Sequence, residues 1–179
     1  TTIKFSCIFD MLTPLSLGFA LIHQYGYIQI YNEDYKMVKK INTEKGFSLV
    51  EMSPGRVLVP SENDKRTLKI YDYTEDQWED DLEIDVGDKI PQYCLLKGNK
   101  LAVACTGGKI KIFNMDDGDL LNTITQNNSR KNLFRFAPLL DGSFMAIFET
   151  TKDGIIHVDS SFSASSSLIH FEKLLKNGN

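Results

Sequence analysis

The sequence predicts an all-β fold made of four four-stranded antiparallel meander units. Three observations support this prediction. One strand pattern recurs four times, each copy lies among further short apolar runs, and the copies are evenly spaced. With 179 residues, of which 42% are apolar, the chain can build one sizeable core but is short for two ordinary domains. We therefore expect a single domain over residues 1–179.

The recurring pattern is an apolar strand that ends in Asn or Asp, usually after an aromatic residue. Its clearest copy follows a Gly-rich turn, Thr106-Gly107-Gly108, which is typical of a hairpin. The four copies are Gly26–Asn32, Arg66–Asp72, Gly108–Asn114 and Asp153–Asp159. Their last residues, at 32, 72, 114 and 159, are 40, 42 and 45 residues apart, close to the propeller repeat of about 40–45 residues.

Two short apolar runs precede each copy and a fourth run follows it. The preceding pairs are Ile3–Phe9 with Phe19–His23, Phe47–Met52 with Val57–Pro60, Gln92–Leu96 with Leu101–Cys105, and Leu133–Ala137 with Ser143–Phe148. The runs that follow are Tyr35–Ile41, Trp78–Ile84, Leu120–Ile124 and Leu168–Phe171. Turn residues join the pairs, except that the first pair has the longer link Asp10–Gly18. The units cover about 3–41, 47–84, 90–124 and 133–171.

The aromatic-Asx pairs carry a resemblance to a known family. Tyr31-Asn32, Tyr71-Asp72 and Phe113-Asn114 stand where the WD40-like β-propeller family has Trp-Asp, and Ser53-Pro54-Gly55 is similar to its turns. The chain resembles this family from about Ile3 to Phe171, although it has no Gly-His dipeptide and no true Trp-Asp. The resemblance implies four-stranded blades and a non-catalytic platform for protein or peptide partners.

Residue types within a unit predict the place of each strand in the blade. The apolar run Leu101–Cys105 fits an inner strand, and Lys109–Phe113 fits one nearer the rim with its lysines outward. Trp78–Ile84 fits an outermost strand whose acidic residues guard an exposed edge. The alternative for this acidic cluster is a docking or metal site, although the spacing of a calcium loop is absent.

Four blades are few for a WD40-like ring, since propellers have about four to eight. Three alternatives follow: a part of a larger propeller, a small complete propeller, or a ring completed by another chain. The absence of Met before Thr1 favours the first alternative. We expect a second chain or a missing segment to cover the end blades. At the other end, Ser160–Ser167 suits a flexible link, and residues 168–176 suit a short helix or a closing strand equally.

Composition excludes several classes of partner. The net charge of −4 gives no electrostatic basis for binding nucleic acid or a membrane surface. No apolar stretch is long enough to span a membrane, and no basic segment of a signal peptide is present. Cys7, Cys94 and Cys105 lie in apolar runs without metal or redox spacing, so we expect buried thiols. These features predict an intracellular protein, cytoplasmic or nuclear.

Motifs for catalysis are missing. The sequence has no Gly-x-Ser-x-Gly and no phosphate-binding loop, and the propeller interpretation separates His23, His157 and His170. We expect no enzyme activity, no cofactor and no metal. An alternative is a propeller segment of an enzyme or multidomain regulator whose catalytic residues lie elsewhere. A sandwich or barrel from the same strands would predict unequal spacing between the units.

The family resemblance implies one binding face, formed by the loops between second and third strands and the loops between blades. Residues proposed for partner binding in these loops are Lys65, Arg66, Thr106, Arg130 and Lys131. An acidic or phosphorylated peptide on this face would pair with Arg66 and Arg130. The alternative is that these are ordinary solubilising charges, because exposed ion pairs contribute little.

Overall fold

A computed structural model describes residues 9–23, 25–43, 49–61, 64, 66–90, 92–125, 133–148, 155–162 and 164–165. The strands form four antiparallel sheets, each with its strands in chain order. Blade 1 contains β1 (Phe9–Leu15), β2 (Gly18–His23), β3 (Tyr27–Asn32) and β4 (Met37–Asn42). Blade 2 contains β5 (Val50–Ser53), β6 (Arg56–Pro60), β7 (Thr67–Asp72) and β8 (Gln77–Asp85).

Blade 3 contains β9 (Tyr93–Leu96), β10 (Lys100–Cys105), β11 (Lys109–Asn114) and β12 (Leu120–Thr125). Blade 4 contains β13 (Leu133–Pro138), β14 (Phe144–Phe148), β15 (Ile155–Val158) and β16 (Ala164–Ser165). The four sheets are arranged as a four-blade β-propeller, which confirms the predicted fold class. No helix among the described residues has the length and apolar character needed to cross a membrane.

The core lies between successive blades. The first strands of neighbouring blades approach each other, β5 with β9 and β9 with β13, so the first strand of a blade is its innermost. Three buried clusters join blade 1 to blade 2, blade 2 to blade 3, and blade 3 to blade 4. The hydroxyl of Tyr93 also donates a hydrogen bond to the carbonyl oxygen of Leu58 across the second interface, at 2.8 Å.

The repeated Asx residue has a structural role at the turn after the third strand. Asp72 accepts hydrogen bonds from the Thr74 and Glu75 backbone N–H groups at 2.8 and 3.0 Å. The side-chain oxygen Oδ1 of Asn32, Asn114 and Asp159 likewise accepts a hydrogen bond from a backbone N–H two to four residues later. Since Asx side chains mimic a backbone acceptor in such turns, they start the reversal into the fourth strand.

Blade 1 differs from the expected strand positions. Its first strand is Phe9–Leu15, and all of it after Phe9 falls in the segment predicted as the link Asp10–Gly18. Ser16 and Leu17 alone form the turn. The predicted link was wrong because β1 continues through Pro14, a residue that is rare within strands. Pro14 is tolerated here because β1 lies at the edge of its sheet. Residues 3–8 of the predicted strand lie outside the described residues.

The end of blade 4 also differs. β16 is the short strand Ala164–Ser165, within the Ser-rich segment predicted to be a flexible link. It pairs with His157 and Val158 of β15. Backbone hydrogen bonds are enough for a two-residue edge strand, which needs no apolar pattern. The predicted strand or helix over 168–176 lies outside the described residues.

Candidate binding face

We name the two ends of the propeller by their connections. The loop face carries the loops between second and third strands and the loops between blades. The turn face, at the other end, carries the two tight turns of each blade. In blades 2 and 3 the loop face includes Arg66, the segment Asp85–Lys89 and the 3-10 turn Thr106–Gly108.

Arg66 lies at the loop face, directly before β7. Its side chain is 62% exposed, and its Nε atom lies 3.5 Å from Oδ1 of Asp64. The Arg66 backbone N–H also donates to this Asp64 oxygen at 3.0 Å, and this bond is the main cause that lowers the pKa of Asp64. The Arg66 carbonyl accepts a hydrogen bond from the Val86 N–H at 2.9 Å. Arg66 is therefore oriented by its neighbours while its guanidinium remains accessible.

Thr106 lies at the same end of the neighbouring blade. Its hydroxyl donates a hydrogen bond to Oδ1 of Asp88 at 2.6 Å. Gly107 adopts a φ of 73°, and a Cβ atom placed on it would meet no other atom within 4 Å. The turn is thus open to solvent above Gly107. Because Arg66 contacts Val86 and Thr106 contacts Asp88, the segment Val86–Asp88 connects these two predicted site residues.

The other three predicted site residues, Lys65, Arg130 and Lys131, lie outside the described residues. Lys111 is a contact that the sequence interpretation missed, since both lysines of β11 were expected to point outward. Its ammonium group donates to the Val86 carbonyl at 2.6 Å and is partly buried. Because side chains alternate along a strand, Lys111 lies on the same side of β11 as the buried Phe113. This alternation could have predicted the contact from the sequence. This hydrogen bond from Lys111 helps to hold the segment Val86–Asp88 in position.

The turn face has a shallow cavity between blades 1 and 2. Its volume is about 380 Å³, and its lining residues are Leu17, Asn32, Glu33, Asp34, Val38, Tyr73 and Thr74. Nearby, the Glu51 carboxylate accepts hydrogen bonds from the Ser16 backbone N–H at 2.9 Å and from the Tyr73 hydroxyl at 3.0 Å. These bonds tie the first turn of blade 1 to blade 2, so Glu51 serves the blade interface.

Three acidic residues in and next to β8 form ion pairs within the protein. Glu79 forms an ion pair with Arg56, Glu83 pairs with Lys69 at 2.7 Å, and Asp76 pairs with Lys39 of blade 1 at 2.9 Å. Within the described ranges, no three His, Cys, Asp or Glu side chains converge as metal ligands would. This arrangement fits an edge strand whose acidic side chains bind neighbouring cations.

The described histidines and cysteines make local contacts. Nε2 of His23 lies 2.7 Å from Oε1 of Gln29, and Nε2 of His157 lies 3.1 Å from the Ser143 hydroxyl. Cys94 and Cys105 are free thiols, and burial raises the pKa of Cys105 to about 11. A thiol with so high a pKa is a poor nucleophile near neutral pH. His170 and Cys7 lie outside the described residues.

Comparisons with known proteins support the fold. No family model and no curated protein matches the sequence. Among solved structures, Hsv2 from Kluyveromyces marxianus has a TM-score of 0.68 and 16% identity, over 88% of this chain and 51% of that chain. A Kluyveromyces lactis Hsv2 with loop 6CD replaced by a Gly-Ser linker has a TM-score of 0.72 and 13% identity, over 96% of this chain and 58% of that chain.

The computationally designed protein Ika4 has a TM-score of 0.64 and 12% identity, over 88% of this chain and 94% of that chain. The chain thus spans about half the length of the Hsv2 structures and nearly the full length of Ika4. Identities this low carry information about the fold and not about ligands. The comparisons identify the chain as a β-propeller and name no family for it.

Proposed function

We propose that this chain is a non-catalytic interaction platform of WD40-like type that binds a protein or peptide partner on its loop face. The observation that carries the proposal is the connection of Arg66 and Thr106, on neighbouring blades, through the segment Val86–Asp88. Two loops and one interblade segment form a hydrogen-bonded surface at one end of a rigid β scaffold. Loops held by such a scaffold are a common location for binding residues.

The proposed partner presents an acidic or phosphorylated segment. The Arg66 guanidinium is 62% exposed and its contact with Asp64 is long, so it can form a paired contact with a carboxylate or phosphate. Arg130, in the loop between blades 3 and 4, is proposed as the second cation. The proposal includes an intracellular location, which the free and buried thiol of Cys105 supports.

A peptide array tests the proposal with matched variants. The array carries acidic and phosphorylated peptides together with versions in which the acids are replaced by amides. Arg66→Ala combined with Arg130→Ala removes the two cations proposed for binding, and Lys36→Ala combined with Lys97→Ala removes two charges from the turn face. We expect the loop-face variant to bind acidic peptides about tenfold more weakly than the parent.

The turn-face control should bind like the parent. Equal binding of acidic peptides by the parent and the loop-face variant would exclude these arginines as the contact site. Weaker peptide binding by the turn-face control alone would indicate that the peptide binds at the turn face instead.

A further inference from the structure

The shallow cavity at the turn face has an acidic rim. It lies between blades 1 and 2, and among the described residues that line it Glu33 and Asp34 are acidic while none is basic. Both acids lie in the exposed turn after β3. Within the described part of the chain, neither carboxylate makes a hydrogen bond or an ion pair. The two charges are therefore available to a cationic ligand.

Apolar side chains form the wall of the same cavity. Leu17 and Val38, from the first turn and the fourth strand of blade 1, are 38% and 37% exposed. Tyr73 of blade 2 is buried, and its hydroxyl is held by Glu51 at 3.0 Å. Arg and Lys pack an aliphatic stem on apolar surface while the charged head stays in water, and aromatic rings attract cations. The cavity thus combines the surfaces that suit such a side chain.

Strand register shows where the other blades carry a cation of their own. Gly18 begins β2 in blade 1, and Arg56 and Lys100 begin the second strands of blades 2 and 3. Each of the three pairs with the Asx residue that ends the third strand of its blade: Asn32, Asp72 and Asn114. Gly18 therefore occupies in blade 1 the position that a cation has in blades 2 and 3.

In blades 2 and 3 these cations lie on the side that faces the next blade. Arg56 lies on the same side of its strand as Leu58, which packs in the cluster between blades 2 and 3. It forms an ion pair with Glu79 of β8. Lys100 lies over the ring of Phe162, in the turn after the third strand of blade 4, with Nζ 4.8 Å from the ring centroid. A cation next to an acid or an aromatic ring thus stands at the turn-face end of both interfaces.

Blade 1 has glycine in place of such a cation. Gly18 lies on the same side of β2 as Ile22, which packs in the cluster between blades 1 and 2. Its chain neighbour Leu17 and its strand partner Asn32 both line the cavity. The cavity therefore lies next to the position of the missing cation, and Tyr73 supplies an aromatic ring from the turn of the next blade.

We propose that the cavity binds the side chain of an arginine or lysine from a partner protein. The stem packs against Leu17 and Val38, and the cationic head pairs with Glu33 and Asp34. The partner thereby supplies the cation that blades 2 and 3 carry as part of the chain. This inference concerns the end of the propeller opposite the loop face and does not depend on the loop-face proposal.

The charge of the surrounding turns favours a basic partner segment. The turns after the third strands of blades 2 and 3 carry further exposed acids, which are Glu75, Asp76, Asp116, Asp117 and Asp119. Such a surface steers opposite charges on a partner toward it and repels like charges. It disfavours the acidic segment proposed for the loop face, so the two ends of the propeller suit different partners.

An NMR titration with a minimal probe is the first test. The probe is acetyl-Gly-Arg-Gly-amide, added to the nitrogen-15-labelled chain up to about 50 mM. We expect saturable shifts of the backbone amides of Leu17, Glu33, Asp34 and Val38, with a Kd of about 1–10 mM for a single side chain. The lysine peptide should shift the same amides. The citrulline peptide keeps the shape of arginine without its charge and should bind at least about tenfold more weakly.

Charge removal at the cavity is the second test. Glu33→Gln combined with Asp34→Asn keeps the size of both side chains and should weaken binding of the arginine peptide at least about tenfold. Asp116→Asn combined with Asp119→Asn, in the turn of blade 3, is the matched control. It makes the same change in net charge at the same face and should bind like the parent.

A lysine placed beside the cavity is the third test. Val38→Lys puts a cation next to Glu33 and Asp34 and should abolish the shifts. Leu121→Lys is the matched control, because Leu121 is the second residue of β12, as Val38 is of β4, and is 47% exposed. This control should bind like the parent.

Three results would overturn the proposal. They are the lack of a saturable shift at the cavity with the arginine peptide, equal binding of the citrulline peptide, and equal binding by the parent and the variant at Glu33 and Asp34. The dispersion of the amide signals shows whether a variant is folded. If a variant fails to fold, the titrations of the parent with the arginine and citrulline peptides decide the question.

Discussion

At the scale of single residues, the four Asx residues by which the repeat was recognised also have a structural role, which explains why they recur. The sequence indicated that an Asx residue ends the third strand of each unit, after an aromatic residue in three of the four. The structure gives the reason for the Asx: its side chain accepts hydrogen bonds from backbone N–H groups of the next turn. The spacing of 40, 42 and 45 residues could be found from sequence. The hydrogen bonds could not, because they depend on where the third strand ends.

Asp72 provides a test of this role. We expect Asp72→Ala to lower the free energy of unfolding by about 1–2 kcal/mol, because two backbone N–H groups and the Thr74 hydroxyl lose their acceptor. Urea unfolding at pH 7 measures the change. Asp34→Ala, at an exposed residue of the corresponding turn in blade 1, is the control and should leave the urea midpoint close to that of the parent.

The same position predicts a pH dependence. The hydrogen bond from the Thr74 hydroxyl, followed by those from the backbone, lowers the pKa of Asp72 below its usual value. A lowered pKa adds stability above the unfolded value of about 3.9, and this part is lost as pH falls through the folded value. Asp72→Asn keeps the acceptor but does not titrate, so its stability should fall less than that of the parent between pH 7 and pH 3. A parallel loss in both proteins would contradict this explanation.

At the scale of elements, turn chemistry decides where a strand begins. The β1–β2 hairpin was predicted with a long link over Asp10–Gly18, whereas the observed turn is only Ser16-Leu17, followed by Gly18. Gly18 has a φ of 148°, and a Cβ atom on it would lie 1.9 Å from the Tyr31 carbonyl oxygen. The close approach of β3 therefore requires glycine at this position.

Gly18→Ala should accordingly destabilise the protein by about 3 kcal/mol or more, because the clash is with backbone and cannot be relieved by a rotamer change. Gly107→Ala is the matched control. It also has a positive φ, of 73°, but its Cβ would meet no atom within 4 Å, so we expect a cost of about 1 kcal/mol. Equal urea midpoints for the two variants would show that the close contact at Gly18 is unimportant.

At the scale of the whole molecule, the repeat predicted the blades better than it predicted the contacts between them. Period and strand order put Arg66 and Thr106 at one end of neighbouring blades, and the structure places both there. Their contacts with Val86 and Asp88 depend on the stagger between blades, which local sequence does not encode.

The most direct test of the central claim, that the loop face is the binding surface, is amide hydrogen exchange with the strongest acidic peptide from the array. Binding should slow exchange at the loop face, in residues 85–89 and 106–108, because bound loops open less often. Exchange in the turn-face residues 33–36 and 73–76 should not change. Protection confined to the turn face, with residues 85–89 and 106–108 unaffected, would contradict the claim.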